Sequence, residues 1–356
     1  MSRPIFVIGS MGSGTTLTRL MLDSHPNIMI AGETGFMRAV QAQYFIPFWP
    51  AGGQWLQRIG LTRADLDESV AAFYSDVFGK AAAKRGAARW GDKTPFHVHH
   101  MTIAARIFPE AQFVATVRHP GAVAGSVSRF GWDWKKGIEH WVHSNQVMVD
   151  HGRELGDRLH LIRYEDLVLN TEPVLREVLA FLGEPWSDRV MAHHEVQSSG
   201  VAEGGTRTDD PVDTARISKW RAGVTDADVQ RLVKATRSQS RIFGYAPDDP
   251  MPVEPLGVAG SGLLGVDGHG LTARLEAAQP VRRVSVRPGF ENELYTVAAL
   301  GEELRKAYVA GRTGGRVRPA YRRYVEKDLP AAAVPSGGGT VARVRRRIAR
   351  AISPDA

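Results

Sequence analysis

Gly9-Ser10-Met11-Gly12-Ser13-Gly14-Thr15-Thr16 is the stretch on which the fold turns. The residues before it, Arg3-Pro4-Ile5-Phe6-Val7-Ile8, are short and apolar and read as a buried strand. Gly14 to Asp23 reads as a helix following it. Glycines 9 and 14 stand at the first and sixth places of a phosphate-binding loop, G-x-x-x-x-G-K-[ST]. Glycines there let backbone N–H groups close around an anion, and a helix N-terminus adds the positive end of its dipole. Thr15 stands where a nucleotide triphosphatase has its lysine. That lysine reaches the β- and γ-phosphates, so its absence argues against ATP or GTP hydrolysis. A smaller anionic group fits better, held by amides and by the hydroxyls of Thr15 and Thr16. The plainer alternative is a glycine-rich turn without a ligand.

Working outward, Gln112 to Arg118 and Leu159 to Tyr164 read as two more buried strands. Between the strands, Val98, Met101, Ala105 and Phe108 recur on one helical face. Val174, Leu175, Val178, Leu179 and Leu182 do the same after Thr171, expected as the N-cap, with Pro173 in the first turn. Apolar strands alternating with amphipathic helices predict an α/β fold, a P-loop-type parallel sheet flanked by helices. The pattern loosens after Tyr245. Three regions follow: residues 1–245 as the main domain, 246–289 as a linker rich in Pro, Gly and Asp, and 290–356 as a partly helical basic C-terminal extension.

The composition narrows the function. The 356 residues contain no cysteine, which excludes disulfides, thiolate zinc sites and cysteine nucleophiles. No apolar run approaches the ~18 residues of a membrane span, and the N-terminal apolar stretch is too short for a signal peptide, so the expected location is the cytoplasm. The formal charge of +7 belongs to one end: residues 301–356 carry 13 Lys and Arg against 5 Asp and Glu, and the body is close to neutral. A nucleic-acid binder would carry its positive stripe on the folded body, so no nucleic-acid partner is expected.

The glycine loop also carries a resemblance. Gly12-Ser13-Gly14-Thr15-Thr16 is similar to the 5′-phosphosulfate loop of sulfotransferases that use 3′-phosphoadenosine 5′-phosphosulfate (PAPS). The run Gly14-Thr15-Thr16-Leu17-Thr18-Arg19-Leu20-Met21-Leu22-Asp23-Ser24-His25-Pro26 resembles their tyrosylprotein sulfotransferase branch. A second block agrees: Val117-Arg118-His119-Pro120, with Ser126 eight residues after Arg118. The resemblance implies that Arg118 and Ser126 hold the 3′-phosphate of PAPS, and that Tyr164, in Arg163-Tyr164-Glu165-Asp166-Leu167, meets its adenine side. Ser218-Lys219-Trp220 resembles the last nucleotide-facing loop, which makes Arg216 and Lys219 further candidates.

The same resemblance supplies the chemistry. Glu33, in Ala31-Gly32-Glu33-Thr34, corresponds to the catalytic base, and Lys93, in Gly91-Asp92-Lys93-Thr94-Pro95-Phe96, to the lysine on the bridging oxygen. The residue-level alternatives are a carboxylate at a helix N-terminus for Glu33 and a surface lysine at a helix entrance for Lys93. Small-molecule sulfotransferases place a catalytic His two residues after the lysine. Pro95 stands there and cannot act, so His97, His99 and His100 are held in reserve. Relatives carry Lys or Arg at the position of Gly12; Arg19, Arg38 or a late-loop Arg could replace that charge. Gly35 stands where the tyrosylprotein branch has an Arg, which weakens a peptide substrate.

The expected activity is sulfuryl transfer from PAPS to the hydroxyl of a small molecule or glycoconjugate. The alternatives are a protein-tyrosine sulfotransferase, a P-loop kinase or NTPase, and a non-enzymatic anion-binding module. Residues 36–60, 129–141 and 196–216 are expected to form the acceptor pocket, with aromatic walls that include Phe36, Trp55, Trp132, Trp134 and Trp141, the alternative being that these aromatics form a packed lid. In the tail, Val341, Val344, Ile348 and Ile352 form an apolar stripe flanked by Arg343, Arg345, Arg346, Arg347 and Arg350. That pattern suits peripheral contact with anionic membrane, the alternative being a solvated basic tail.

Overall fold

The apolar run before the glycine turn forms strand β1 (Ile5–Gly9), buried along its whole length. In this computed structural model, which describes residues 3–44, 54–196, 211–222 and 224–245, β1 is the middle of a five-stranded sheet. The other strands are β2 (Ile28–Gly32), β3 (Arg89–Lys93), β4 (Gln112–Val117) and β5 (Leu159–Arg163), in the spatial order β2-β3-β1-β4-β5. Every pairing is parallel. The fold is the α/β, P-loop-type parallel sheet that the sequence implies.

Eleven α-helices connect and cover the strands among the described residues: α1 (Thr15–Asp23), α2 (Phe36–Tyr44), α3 (Trp55–Arg58), α4 (Arg63–Lys84), α5 (Met101–Ile107), α6 (Pro120–Val127), α7 (Trp134–Leu155), α8 (Tyr164–Leu169), α9 (Thr171–Leu182), α10 (His193–Val196) and α11 (Asp226–Ile242). Side chains alternate across a strand. Phe6, Ile8, Phe113, Ala115 and Val117 therefore face one layer, built from α2, α4, α5, α6, α7 and α11. Ile5, Val7, Val114 and Ile162 face the other, built mainly from α1, α8 and α9. Both faces are covered, which explains why β1 and β4 are apolar without alternation.

The structure adds two strands that periodicity does not reveal, β2 and β3. β3 reads Arg-Trp-Gly-Asp-Lys, with no β-branched residue, yet all of it but Arg89 is buried. Its strand character comes from pairing on both sides, Gly91 with Ile5 and with Ile30, and from Trp90 stacking on Phe78 at 4.9 Å. The helical face predicted over Val98 to Phe108 divides into a 3-10 turn (Pro95–His100) and α5. Thr171 is the first residue of α9 rather than its cap, and Asn170 takes the cap position without a side-chain bond. No described helix is long and apolar enough to cross a membrane. The linker at 246–289 and the basic extension at 290–356, with its membrane-facing stripe, lie outside the described residues.

Candidate active site

Each strand delivers one candidate residue or loop at its carboxyl end. β1 leads into the glycine loop, β2 into Glu33 and β4 into Arg118; β3 ends on Lys93, and Tyr164 follows β5 directly. Parallel strands in register bring these positions to one edge of the sheet, where open α/β folds bind their ligands.

In the loop, the Ser13 amide donates to Ser10 O at 3.0 Å, which closes the turn, and Gly14 caps α1 with φ 100°. The hydroxyls of Ser10 and Ser13 are buried and make no hydrogen bond within the protein. Buried polar groups are normally paired, so two unpaired hydroxyls beside a helix N-terminus fit an anion. The first turn of α1 adds amides for which helix geometry offers no internal acceptor. Gly14 has a second reason to be glycine: a Cβ there would lie 2.3 Å from Tyr164 Cδ2, so the ring packs directly on the loop. The Met11 amide points away from this set and donates to Nε2 of buried His140 at 2.9 Å. That bond assigns the ring proton to Nδ1, and burial, reinforced by nearby His143, pushes the His140 pKa down to about 3.

Lys93 is fully buried, and its ammonium donates to Glu33 Oε1 at 2.7 Å and to Thr16 Oγ1 at 3.1 Å. The surface-lysine reading is therefore corrected. Glu33 lies before α2 rather than in it, and its side chain is 45% exposed. It is the only non-glycine residue with positive φ among the described residues, at 43°, a conformation costing about 1–3 kcal/mol. Its amide donates to Lys93 O at 2.6 Å. The pair thus spans the site, Lys93 reaching the loop and Glu33 reaching solvent.

Arg118 follows β4. Its guanidinium donates to Gly12 O at 3.0 Å and to Arg216 O at 2.6 Å, and it lies 4.0 Å from the centre of the Tyr164 ring. Ser126, on α6, borders Gly12, where a Cβ would come within 3.1 Å of Ser126 Cβ. Arg216 joins the site through its carbonyl, while its own guanidinium pairs with Asp213. Lys219 is exposed; the neighbouring Trp220 is the buried anchor, stacked on His119 at 5.0 Å. Burial, with Arg118 and Arg221 adding to it, pushes the His119 pKa down to about 3.

The structure bears on several further expectations. His97, His99 and His100, read as reserve bases but more readily as helix-surface or packing residues, are packed side chains: His97 lies 3.0 Å from Asp92, His99 stacks on His143 and His100 meets Gln41. Phe36 and Trp141 are core residues rather than pocket walls. Phe36 packs on Tyr74, Phe78 and Phe6, and Trp141 donates to Arg118 O at 2.8 Å. Of the proposed replacement cations, Arg19 lies 3.9 Å from Asp23 and Arg38 donates to Gln41. Arg129 is a further, exposed cation whose guanidinium lies 5.1 Å from the centre of the Phe130 ring. It sits in the turn just after Ser126, and its charge interacts with those of Arg118, Arg216 and Glu33.

Comparison with known proteins identifies the family. Residues 4–188 match the model of the sulfotransferase family. The chain is 31% identical over 261 residues to protein-tyrosine sulfotransferase 1 of Danio rerio, covering 68% of this chain and 72% of the relative. It is 30% identical to the protein-tyrosine sulfotransferase of Drosophila melanogaster, covering 68% of this chain and 52% of that one. Among solved structures, the sulfotransferase domain of the Synechococcus PCC 7002 olefin synthase superposes with a TM-score of 0.50 at 26% identity, over 69% of this chain and 97% of that domain. A phosphate-loop spacing without the Walker lysine, an ion pair beside it and a family match running from β1 to beyond α9 converge: the chain belongs to the sulfotransferase family.

Proposed function

We propose that the protein transfers the sulfuryl group of PAPS to an acceptor hydroxyl, with Glu33 as general base and Lys93 as the cation on the leaving group. The Lys93 ammonium bridging Glu33 and the Thr16 hydroxyl is the observation that carries this reading. Glu33 removes the acceptor proton as the acceptor oxygen bonds to sulfur and the bond from sulfur to the phosphate oxygen breaks. Lys93 stabilises the charge that develops on that oxygen, and the product is adenosine 3′,5′-bisphosphate. Ser13, Thr15, Thr16 and the first-turn amides of α1 suit the 5′-phosphosulfate; Arg118 and Ser126 suit the 3′-phosphate; Tyr164 and the segment around Arg216 and Lys219 suit the nucleoside.

The kinase or NTPase reading is the less favoured one. Asp92, the carboxylate nearest a strand end beside the loop, is fully buried and committed to Thr34, Thr94 and His97. For the acceptor we favour a small-molecule or glycoconjugate hydroxyl, because Gly35 supplies no charge for an acidic peptide. Peptide tyrosine is the second reading, favoured by the names of the relatives. Incubation with radiolabelled PAPS and three acceptor classes (phenols, glycolipids, tyrosine peptides) decides between them. Tight binding of ADP with none of adenosine 3′,5′-bisphosphate would overturn the donor assignment.

A further inference from the structure

Asp92 precedes Lys93 on β3, is fully buried, and collects three polar contacts. Thr34 Oγ1 donates to its Oδ2 at 2.6 Å, Thr94 Oγ1 donates to its Oδ1 at 2.8 Å, and His97 Nδ1 lies 3.0 Å from Oδ1. Burial alone would raise the pKa of such a carboxyl, but His97 and the two threonine hydroxyls outweigh it and hold the group below its ordinary value. Asp92 is therefore a buried anion whose charge is matched by oriented donors.

One of those donors, Thr34, belongs to the turn that carries Glu33, while Thr94 and His97 follow β3. Thr34 is the next residue, and its hydroxyl also accepts the Phe36 amide at 3.3 Å. Thr94 Oγ1 accepts the Gly35 amide at 3.1 Å. On the other side, the Glu33 amide donates to Lys93 O at 2.6 Å. The turn Glu33–Phe36 is thus pinned to β3 at Glu33, Thr34 and Gly35, two of these links running through Asp92 or its partner Thr94. A non-glycine residue at φ 43° persists only where its surroundings impose it. We infer that Asp92 is a positioning residue for Glu33: acting through the Thr34 and Thr94 hydroxyls, it holds the left-handed turn that aims the Glu33 carboxylate at Lys93 and the acceptor. This rests on the reading of Glu33 as the base. It assigns Asp92 no contact with either substrate.

Thr34→Val removes the donated hydrogen bond at nearly constant shape, and Thr34→Ser restores it. Because Asp92→Asn alters a buried charge, the threonine pair is the primary test. In the full chain without ligand, hydrogen exchange of the Glu33–Phe36 amides should accelerate about tenfold or more in Thr34→Val and stay near the parent in Thr34→Ser, with β1 and β4 unchanged. With PAPS as donor and 4-nitrophenol as probe acceptor, kcat of Thr34→Val should fall about 10–100-fold, as displacement of a catalytic group by about 1 Å predicts. Its affinity for adenosine 3′,5′-bisphosphate should stay within about twofold of the parent. Added to Glu33→Gln, the Thr34→Val change should cost nothing further, since both act through one carboxylate. Parent-like exchange in Thr34→Val, a Ser variant as damaged as the Val variant, or losses that multiply with Glu33→Gln would each overturn the inference. A Glu33→Gln enzyme with parent turnover would instead overturn the base assignment beneath it.

Discussion

Lys93 and Glu33 form an ion pair at 2.7 Å whose two ends live in different media: the ammonium is fully buried, while the carboxylate side chain is 45% exposed. The asymmetry makes the partners unequal in stability as well as in chemistry. Removing Glu33 takes its ion-pair partner from a buried ammonium, whereas removing Lys93 leaves a carboxylate that water can reach. Glu33→Ala should therefore lower thermal stability more than Lys93→Met, by about 1–3 kcal/mol. Activity should respond to both. Glu33→Gln should reduce kcat by about 10²–10⁴-fold with donor affinity retained, and Lys93→Met by about 10²–10³-fold. Melting curves and steady-state kinetics on the same variants test the two halves separately. A Glu33→Gln enzyme that kept most of its turnover would remove Glu33 from the chemistry.

Arg118 offers a selective test of the donor. Its guanidinium is clamped by two carbonyls and the Tyr164 ring, and Ser126 stands beside Gly12 on the same side of the loop. Arg118→Ala should weaken adenosine 3′,5′-bisphosphate by about 1.5–3 kcal/mol, the worth of a hydrogen bond to a charged group. Adenosine 5′-phosphosulfate, which lacks the 3′-phosphate, should lose far less. Calorimetric titration with both nucleotides decides it; equal losses would make Arg118 a purely structural clamp.

The sequence marked one half of this site by local pattern and the other only by resemblance. The loop at Gly9 to Thr16 and the strand ending at Arg118 could be read because glycine spacing and unbroken apolar runs mark them locally. β3 has no such mark. Its Trp-Gly-Asp-Lys core becomes a strand through pairing with β1 and β2 and through Trp90 packing, and so the burial of Lys93 could not be foreseen. The bond from Met11 to His140 joins residues 129 positions apart, beyond the reach of any local pattern. The pocket expectation failed in part for the same reason. Phe36 and Trp141 are aromatic in either setting, and the packing around them, not their identity, places them in the core.

Buried neutral histidines set the acid limit of the fold. Burial holds His99 well below its ordinary pKa and pushes His119 and His140 down to about 3. In the unfolded chain each titrates near ~6.5. Below that pH the unfolded state binds protons that the native state refuses, so stability falls as pH drops from ~6.5 toward ~3. Glu165, raised by burial, acts in the opposite sense but is one group against three. Melting temperature should therefore decline steadily between pH 6.5 and 4.5. His140→Gln, whose amide oxygen can still accept the Met11 N–H, should flatten that decline. An unchanged slope would mean that His140 is not neutral in the native state.

Gly12 gives the last prediction, and it runs against the simplest reading of the resemblance. If relatives carry Lys or Arg at this position, Gly12→Arg should restore a missing charge and raise activity. The local geometry opposes that. Gly12 has φ +88°, which L side chains rarely adopt, and a Cβ would lie 3.1 Å from Ser126 Cβ and 3.2 Å from its Oγ. Left-handed backbone costs a non-glycine residue about 1–2 kcal/mol, and moving Ser126 would disturb the side of the loop that Arg118 occupies. Gly12→Arg should therefore weaken adenosine 3′,5′-bisphosphate about 5–30-fold, the equivalent of that strain, and should not raise kcat. Gly12→Ala should show the same loss of affinity, because the cost lies in the backbone and the Cβ rather than in the charge. If Gly12→Arg bound the nucleotide more tightly and turned over faster, the loop would have to relax around the new side chain, and the charge missing at Gly12 would be a true deficit. If it behaves like Gly12→Ala, the positive charge near the transferred group has to come from elsewhere in the site.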